Sequence, residues 1–80
     1  MRLDKFLKVS RIIKRRTVAN EACDTGHASV NGKTAKASQN VNPGDVIEIR
    51  FGARTLRVEV LETSESATKA GAEAMYREIR

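Results

Sequence analysis

The sequence predicts one small α+β domain, in which two short N-terminal helices pack on a mostly antiparallel sheet and a C-terminal tail forms a weak helix. Apolar residues recur at helical spacing in the first part of the chain. Further along, short segments alternate apolar and charged residues, and turn signals separate them. A chain of 80 residues is enough for one domain with a thin core, and too small for a large pocket.

The first helix is predicted from Arg2 to about Ser10. At about 100° per residue, one side of this helix carries the apolar residues together with Ser10, and the other side carries Lys5, Lys8 and Arg11 with Asp4 among them. One side therefore packs and the other stays in water. The apolar residues of the packing side are Leu3, Phe6 and Leu7.

Positive charge is concentrated at this end of the chain. The first sixteen residues contain seven bases and one acid, a net charge of +6, whereas the whole chain is +5, so residues 17–80 sum to −1. Because one acid serves several bases, most of the repulsion between the positive side chains is left for a binding partner to relieve. A confined basic face of this kind is typical of polyanion binding, although a charge-rich helix can also be no more than a solvated surface.

A basic link and a second helix follow. The polar run 11–16 joins the helices, and Thr17 is expected to cap the second helix, with Lys14, Arg15 and Arg16 beside its first turn. Gly26 is expected to end this helix in the left-handed conformation. The residues expected to pack are Val18, Ala19, Ala22 and Cys23, and the candidate core includes Leu3, Phe6, Leu7, Ile13, Val18, Ala22 and Val30.

Turn signals then divide the chain into strands. A short strand is predicted over 27–30, Asn31-Gly32 is a strong hairpin signal, and 33–37 is expected to return. A second turn over 41–45 contains Pro43 and Gly44. Two alternating strands follow, over 46–51 and up to Val60, with Gly52 and Ala53 between them.

The last part of the sequence is less regular. Residues 62–68 are expected to form a polar linker, and the helical spacing of the apolar residues after it predicts a weak, fraying helix. We therefore expect one folded unit over 1–61, followed by a linker and helix over 62–80. The apolar positions of this helix are Ala72, Met75, Tyr76 and Ile79.

Several function classes lack their signals. We expect no membrane span and no signal peptide, and the single Cys23 is expected to be a small buried residue of a reducing, cytosolic protein. Cys23 and His27 do not provide a metal site or a hydrolytic triad, and the glycines do not form a phosphate loop. We therefore expect neither cofactor nor catalysis.

The order of these elements resembles the S4 RNA-binding domain over residues 1 to about 61. The motifs that carry the resemblance are the basic first helix and elbow, the second helix ending in Gly26, the run 30–33 and the run 41–45. Within the S4 family, the opening 1–7, the run 14–17 and the ending 74–76 are most similar to the short ribosome-associated proteins of the RqcP and heat-shock protein 15 type. The resemblance implies the S4-type (alpha-L) fold.

The resemblance also implies a function. Proteins of this type bind rRNA and tRNA on obstructed large ribosomal subunits and support alanine tailing by RqcH, which implies a clamp without catalytic chemistry. Asp4 is expected to orient neighbouring bases, because a carboxylate beside phosphate would be repelled. For Asn31 a purely structural role in the tight turn is the alternative. The candidate RNA-binding residues are Arg2, Lys5, Lys8, Arg11, Lys14, Arg15, Arg16, Asn31 and Lys33, and the structural ones are Asp4, Thr17, Gly26, Gly32 and Gly44.

The aromatic residues indicate which form of RNA is bound. Phe6 and Phe51 fall on predicted packing faces, which leaves no stacking platform for single-stranded bases and favours structured RNA. We expect a monomer that does not bind membranes.

Three other interpretations remain open. The chain could be a recycling factor of the heat-shock protein 15 kind, or a protein-docking module that uses its C-terminal helix. It could also be the accessory domain of a nucleic-acid enzyme, although 80 residues leave no room for a catalytic part.

Overall fold

The structure is a computed structural model that describes residues 1–63 and 69–79, and of Lys69 and Ala70 the backbone only. Its elements are α1 (Leu3–Val9), α2 (Arg16–Asp24), β1 (Ala28–Val30), β2 (Lys33–Thr34), β3 (Val46–Phe51), β4 (Arg54–Val60), α3 (Lys69–Glu73) and β5 (Tyr76–Glu78). The strands form a five-stranded antiparallel sheet in the order β2-β1-β3-β4-β5, packed on the two N-terminal helices. This confirms the predicted α+β class.

The second N-terminal helix differs from the prediction in where it begins and in which of its residues are buried. α2 begins at Arg16, so Thr17 lies inside the helix and is not its cap. The capping position belongs to Arg15, whose backbone is extended and whose carbonyl accepts from the amide of Ala19 at 3.0 Å. Val18 is 49% exposed and so is not part of the core, because it lies on the flank of α2 that faces away from α1, beside an open groove at the end of the sheet.

Gly26 ends α2 as predicted. Its φ is +83°, its amide donates to the carbonyl of Cys23, and the amide of His27 donates to the carbonyl of Ala22. These two bonds form a Schellman motif, which needs a left-handed residue at the position of Gly26. The chain therefore turns from α2 directly into β1.

The Asn31-Gly32 turn was also predicted correctly. Asn31 has φ +52° and Gly32 has φ +86°, the two positive values that a type I′ hairpin requires. Gly44 has φ +96° in the turn before β3. The returning strand β2 is short, because residues 35–41 leave the sheet and run beside the N-terminus, where the amide of Leu3 donates to the carbonyl of Gln39 at 2.7 Å.

β3 and β4 are in register over their whole length, from Val46 opposite Glu59 to Phe51 opposite Arg54. Ile47 and Ile49 face the helices and are fully buried. Phe51 continues their alternation but is 44% exposed, because it lies at the end of the hairpin. The prediction that Phe51 packs is therefore wrong.

The tail differs most from the prediction. α3 ends at Glu73, and Tyr76–Glu78 form a fifth strand beside β4 where the spacing predicted more helix. Met75 is fully buried and its carbonyl accepts from the amide of Leu61, so this segment belongs to the same folded unit as the rest. The boundary at residue 61 stays a prediction, and the predicted linker over 62–68 lies mostly outside the described residues.

The core fills the space between the helices and one face of the sheet. No helix among the described residues is long and apolar enough to cross a membrane. The largest fully buried apolar side chains are Phe6, Leu3, Leu7, Ile47, Ile49, Met75, Val41, Val58 and Val60.

Candidate nucleic-acid interface

The basic side chains of the N-terminal segment lie mainly on the protein surface. α1, the elbow over 10–15 and the start of α2 present them one after another, and Lys5 alone among them is half-buried. We refer to this region as the basic surface. It consists of Arg2, Lys5, Lys8, Arg11, Lys14, Arg15 and Arg16.

A buried carboxylate organises two of these bases. Asp4 is 2% exposed, in contrast to the prediction that it shares the wet side of α1. Its Oδ1 accepts from Nε of Arg2 at 3.1 Å, and its Oδ2 is 3.5 Å from Nε of Arg16. The two arginine side chains are 51% and 48% exposed, so each guanidinium is held from inside and remains accessible outside.

Asn20, which was not among the residues predicted from the sequence, completes the site. Its Nδ2 donates to Oδ2 of Asp4 at 3.2 Å, and both residues border an open cleft between α1 and α2. The spacing could have suggested it, since Asn20 is four residues after Arg16 and therefore on the same face of α2. The cleft has a volume of about 420 Å³ and is lined by Arg2, Asp4, Arg16, Thr17 and Asn20.

The environment of Asp4 acts on its pKa in two directions. Burial raises the pKa of the carboxyl, but the hydrogen bonds from Asn20, Arg2, Arg16 and the Lys5 amide together lower it, and the net pKa lies below the ordinary value of 3.8. Asp4 is therefore ionised at neutral pH. One negative charge inside holds two positive charges at the surface, so the cleft keeps a net positive charge.

The elbow contains an unusual backbone conformation. Arg11 has φ +64°, a left-handed value that bulky residues seldom adopt, and its amide donates to the carbonyl of Lys8 at 3.0 Å. This conformation ends α1. The side chains of Arg11, Lys14 and Arg15 are exposed along the elbow.

Asn31 and Lys33 lie in a separate place. They border a shallow depression with Thr34 and Gln39, and neither lines the cleft around Asp4. The Asn31 side chain is engaged at both ends, since Nδ2 donates to Asp45 at 3.1 Å and Oδ1 accepts from the amide of Val46 at 2.9 Å. These bonds fasten the β1–β2 hairpin to the start of β3, which supports the structural interpretation of Asn31.

Cys23 and His27, the two residues considered as metal ligands or nucleophilic groups, have other surroundings in the structure. Cys23 is buried, and burial, followed by the charges of Asp4 and Asp24, raises the pKa of its thiol to about 11. The side chain of His27 is exposed and its Nδ1 lies 2.7 Å from Oγ1 of Thr25. Within the part of the chain that the structure describes, no three His, Cys, Asp or Glu residues are grouped as metal ligands would be.

Comparison with known proteins agrees with this architecture. The S4 domain family model matches residues 1–47. The RQC P-site tRNA stabilizing factor of Bacillus subtilis (strain 168) is 54% identical over 76 residues, which cover 95% of this chain and 88% of that protein. The factor of the same name from Streptococcus pneumoniae is 57% identical over 76 residues, covering 95% and 86%. The solved trimeric structure of Vibrio cholerae heat shock protein 15 is similar with a TM-score of 0.89 at 31% identity, covering 99% of this chain and 81% of that one.

Proposed function

This chain belongs to the S4 domain family and, within it, to the RQC P-site tRNA stabilizing factors, and on that premise we propose that it binds rRNA and tRNA on obstructed large ribosomal subunits. In this role it stabilises peptidyl-tRNA while alanine tailing proceeds with RqcH. It acts as a clamp and carries out no chemical step. The protein works in the cytoplasm as a monomer.

The observation that carries this proposal is the arrangement of Arg2 and Arg16 about Asp4. Both guanidinium groups are restrained by a carboxylate on one side, while about half of each side chain faces solvent. Guanidinium groups bind phosphate through two parallel hydrogen bonds, and restraint lowers the entropy lost on binding. The cleft is therefore suited to the phosphates of a folded RNA.

The remaining bases extend this contact. Lys8, Arg11, Lys14 and Arg15 bind further phosphates along α1 and the elbow, and Lys5 contributes at the edge of the same surface. Phosphate contacts fix orientation and affinity, with little base specificity. Lys33 approaches RNA from the β1–β2 hairpin, and Asn31 holds that hairpin in position.

A recycling role of the heat-shock protein 15 kind is the second candidate. The specific observation in its favour is the fold similarity to heat shock protein 15 over nearly the whole of this chain. The two roles use the same RNA-facing chemistry.

The protein-docking interpretation of the tail has less support. Met75 and Ala72, which would have formed the apolar face of a docking helix, are fully buried within the protein. Tyr76 is half-buried and packs against the same core. These side chains stabilise the fold and are not available to a partner.

Sucrose-gradient sedimentation tests the proposal. Cell extracts containing the tagged wild-type protein, Arg15→Glu or Arg57→Gln are fractionated, and each fraction is probed for tRNA. Arg57 is a suitable control because it lies on the other face of the sheet, 3.4 Å from Glu48. We expect wild type and Arg57→Gln to sediment with large subunits that carry tRNA, and Arg15→Glu to stay near the top.

Two other outcomes would count against the proposal. Sedimentation with large subunits that lack tRNA would contradict stabilisation of peptidyl-tRNA. Wild-type protein at the top of the gradient at low salt would contradict ribosome association altogether. A binding titration adds a second measure, since four to six neutralised phosphates give a slope of roughly −3 to −5 for log K against log salt.

A further inference from the structure

The β3–β4 hairpin ends in an exposed aromatic residue. Phe51 is 44% exposed, whereas Phe6, the other phenylalanine, is fully buried. Phe51 is also absent from the side chains that pack against the core. Its ring therefore contributes little to the fold and is available at the surface. We call residues 50–54 the hairpin tip.

Arg54 lies beside this ring, whereas Arg50, the residue before Phe51, points to the opposite face of the strand. Phe51 is directly opposite Arg54 in the register and forms with it the last pair before the two-residue loop Gly52-Ala53. Opposite residues lie on the same face of a sheet, so the ring and the guanidinium are neighbours. Both border one shallow depression of about 160 Å³, together with Thr55 and Leu56.

The hairpin tip is positively charged. Residues 50–57 contain three arginines and no acid, a second basic cluster that the net charge of −1 over residues 17–80 conceals. Among the residues that the structure describes, the side chain of Arg54 makes no hydrogen bond or ion pair, and the guanidinium of Arg50 donates to the carbonyl oxygen of Gly26 at 3.3 Å, which leaves its charge uncompensated. Arg57 is the one that is paired, with Glu48.

α2 connects this tip to the basic surface. One flank of the helix, with Arg16 and Asn20, borders the cleft around Asp4. The opposite flank, with Val18 and Ala22, borders a groove whose other side is formed by Arg50 and Gly52. Glu21 is the one acid among the residues lining that groove. With its side chains a helix is about 10–12 Å across, so one folded RNA can reach both sides of α2.

We propose that the hairpin tip is a second RNA contact, at which Phe51 stacks on one unpaired base while Arg54 binds the phosphate beside it and Arg50 binds a further phosphate from the opposite face of the strand. An aromatic ring with an arginine beside it is a common means of holding an unstacked base, and such stacking is tolerant of base identity. This inference rests on the proposed function and extends it, because it adds a single-stranded feature to the RNA that is recognised. It also replaces the expectation that the chain lacks a stacking platform.

Binding to two labelled RNA stems tests the proposal. One stem carries a two-nucleotide bulge and the other is fully paired with the same number of phosphates. We expect the wild-type protein to bind the bulged stem at least about fivefold more tightly, the lower bound for one base stacked on an aromatic ring. Phe51→Ala should remove this preference, and Phe51→Tyr should keep it.

The control variant is Leu61→Ala. Leu61 is 45% exposed, close to the value for Phe51, and it follows the other end of β4. It should leave the preference unchanged. Arg54→Gln should weaken binding of the bulged stem and reduce its salt slope by about 1, as expected when one phosphate contact is lost. Thermal unfolding of each variant checks that the fold is intact.

Photocrosslinking identifies the source of the base. The variant Phe51→p-benzoylphenylalanine is bound to purified large subunits that carry peptidyl-tRNA, and the complex is then irradiated. An adduct with tRNA or with rRNA supports the proposal and shows which RNA supplies the base. An adduct with ribosomal protein alone would overturn it and make the tip a protein contact.

Failure of this proposal differs from failure of the proposed function. Equal binding of the two stems, with a steep salt slope that Arg16→Gln reduces, would remove the stacking contact and leave the RNA clamp intact. No binding to either stem at low salt would contradict both.

Discussion

The side-chain amide of Asn20 donates to the buried carboxylate of Asp4 across 3.2 Å and so joins the middle of α2 to the first turn of α1. The same carboxylate holds the guanidinium groups of Arg2 and Arg16. The packing of the two helices and the orientation of the two arginines therefore depend on one polar centre. Mutating the residues of this centre one at a time separates their contributions to stability and to binding.

Replacing Asn20 should weaken the fold and the site together. Asn20→Ala removes one hydrogen bond to a charged, buried acceptor, which costs about 1.5 kcal/mol of unfolding free energy. Urea denaturation measures this loss. Asn42→Ala is the control, because its exposed amide accepts only from Asn40 among the described residues, at 3.4 Å, and should change stability by less than about 0.5 kcal/mol. Equal stability of Asn20→Ala and wild type would show that this bond contributes nothing.

Asp4 should make stability depend on pH below about 4. The folded pKa lies below the ordinary value of 3.8, so the unfolded chain takes up a proton first as the pH falls. The stabilisation by Asp4 is therefore complete above the unfolded pKa and is lost as the pH falls through the folded one. Unfolding free energies from pH 7 to pH 2 should show the difference between wild type and Asp4→Asn shrinking across this range. A constant difference would contradict the assignment.

Replacing Arg11 by glycine should weaken RNA binding without lowering stability. Its φ of +64° is strained for arginine, and Arg11→Gly relieves a strain of about 1 kcal/mol, partly offset by the greater freedom of glycine in the unfolded chain. We expect an unchanged or slightly raised melting temperature and weaker RNA binding, because one exposed charge is lost. A clear fall in melting temperature would show that the left-handed conformation carries no strain.

Gly26 should not tolerate a branched side chain. Apart from Gly26 and its two chain neighbours, no atom of the described residues lies within 4 Å of a Cβ built at this position, so the cost of Gly26→Val comes from its φ of +83° and not from a clash. We expect a loss of about 1–2 kcal/mol. In a domain of this size, each kcal/mol lowers the melting temperature by roughly 4–8 °C. Gly26→Asn is the matched variant and should lose less, since asparagine enters the left-handed region more readily.

Met75 should behave as a core residue. Met75→Ala removes a fully buried side chain and should cost about 2–4 kcal/mol, measured by urea denaturation. Tyr76 beside it is half-buried, so Tyr76→Phe serves as a control with nearly the same volume. If the tail were a docking helix, Met75→Ala would leave stability unchanged and abolish a protein complex.

The sequence predicted the features that depend on local chemistry. The positive φ of Asn31, Gly32 and Gly26, the bounds of β3 and the burial of Leu3, Phe6 and Leu7 all follow from residue type and spacing. The start of α2 was missed by two residues, since capping depends on which residue adopts the extended conformation.

Features that depend on distant contacts were not predictable in this way. Asp4 is buried because three side chains from two segments surround it, and spacing within α1 cannot show that. Tyr76–Glu78 are a strand because β4 offers an open edge, whereas the spacing of four apolar residues fits a helix equally well. Phe51 continues an apolar alternation beyond the point where the helices cover the sheet. In each case tertiary context decided the outcome.

The cross-strand ion pairs on the outer face of the sheet affect how the protein approaches its partner. Glu48 pairs with Arg57, and Glu59 pairs with Arg77, so acids and bases largely cancel on that face. The helical side keeps its excess of positive charge. The electric field of a polyanion exerts a torque on a molecule with this charge distribution, and the torque turns the helical side toward the polyanion before contact. Many collisions therefore begin in a productive orientation, and this advantage in association rate should disappear at high ionic strength.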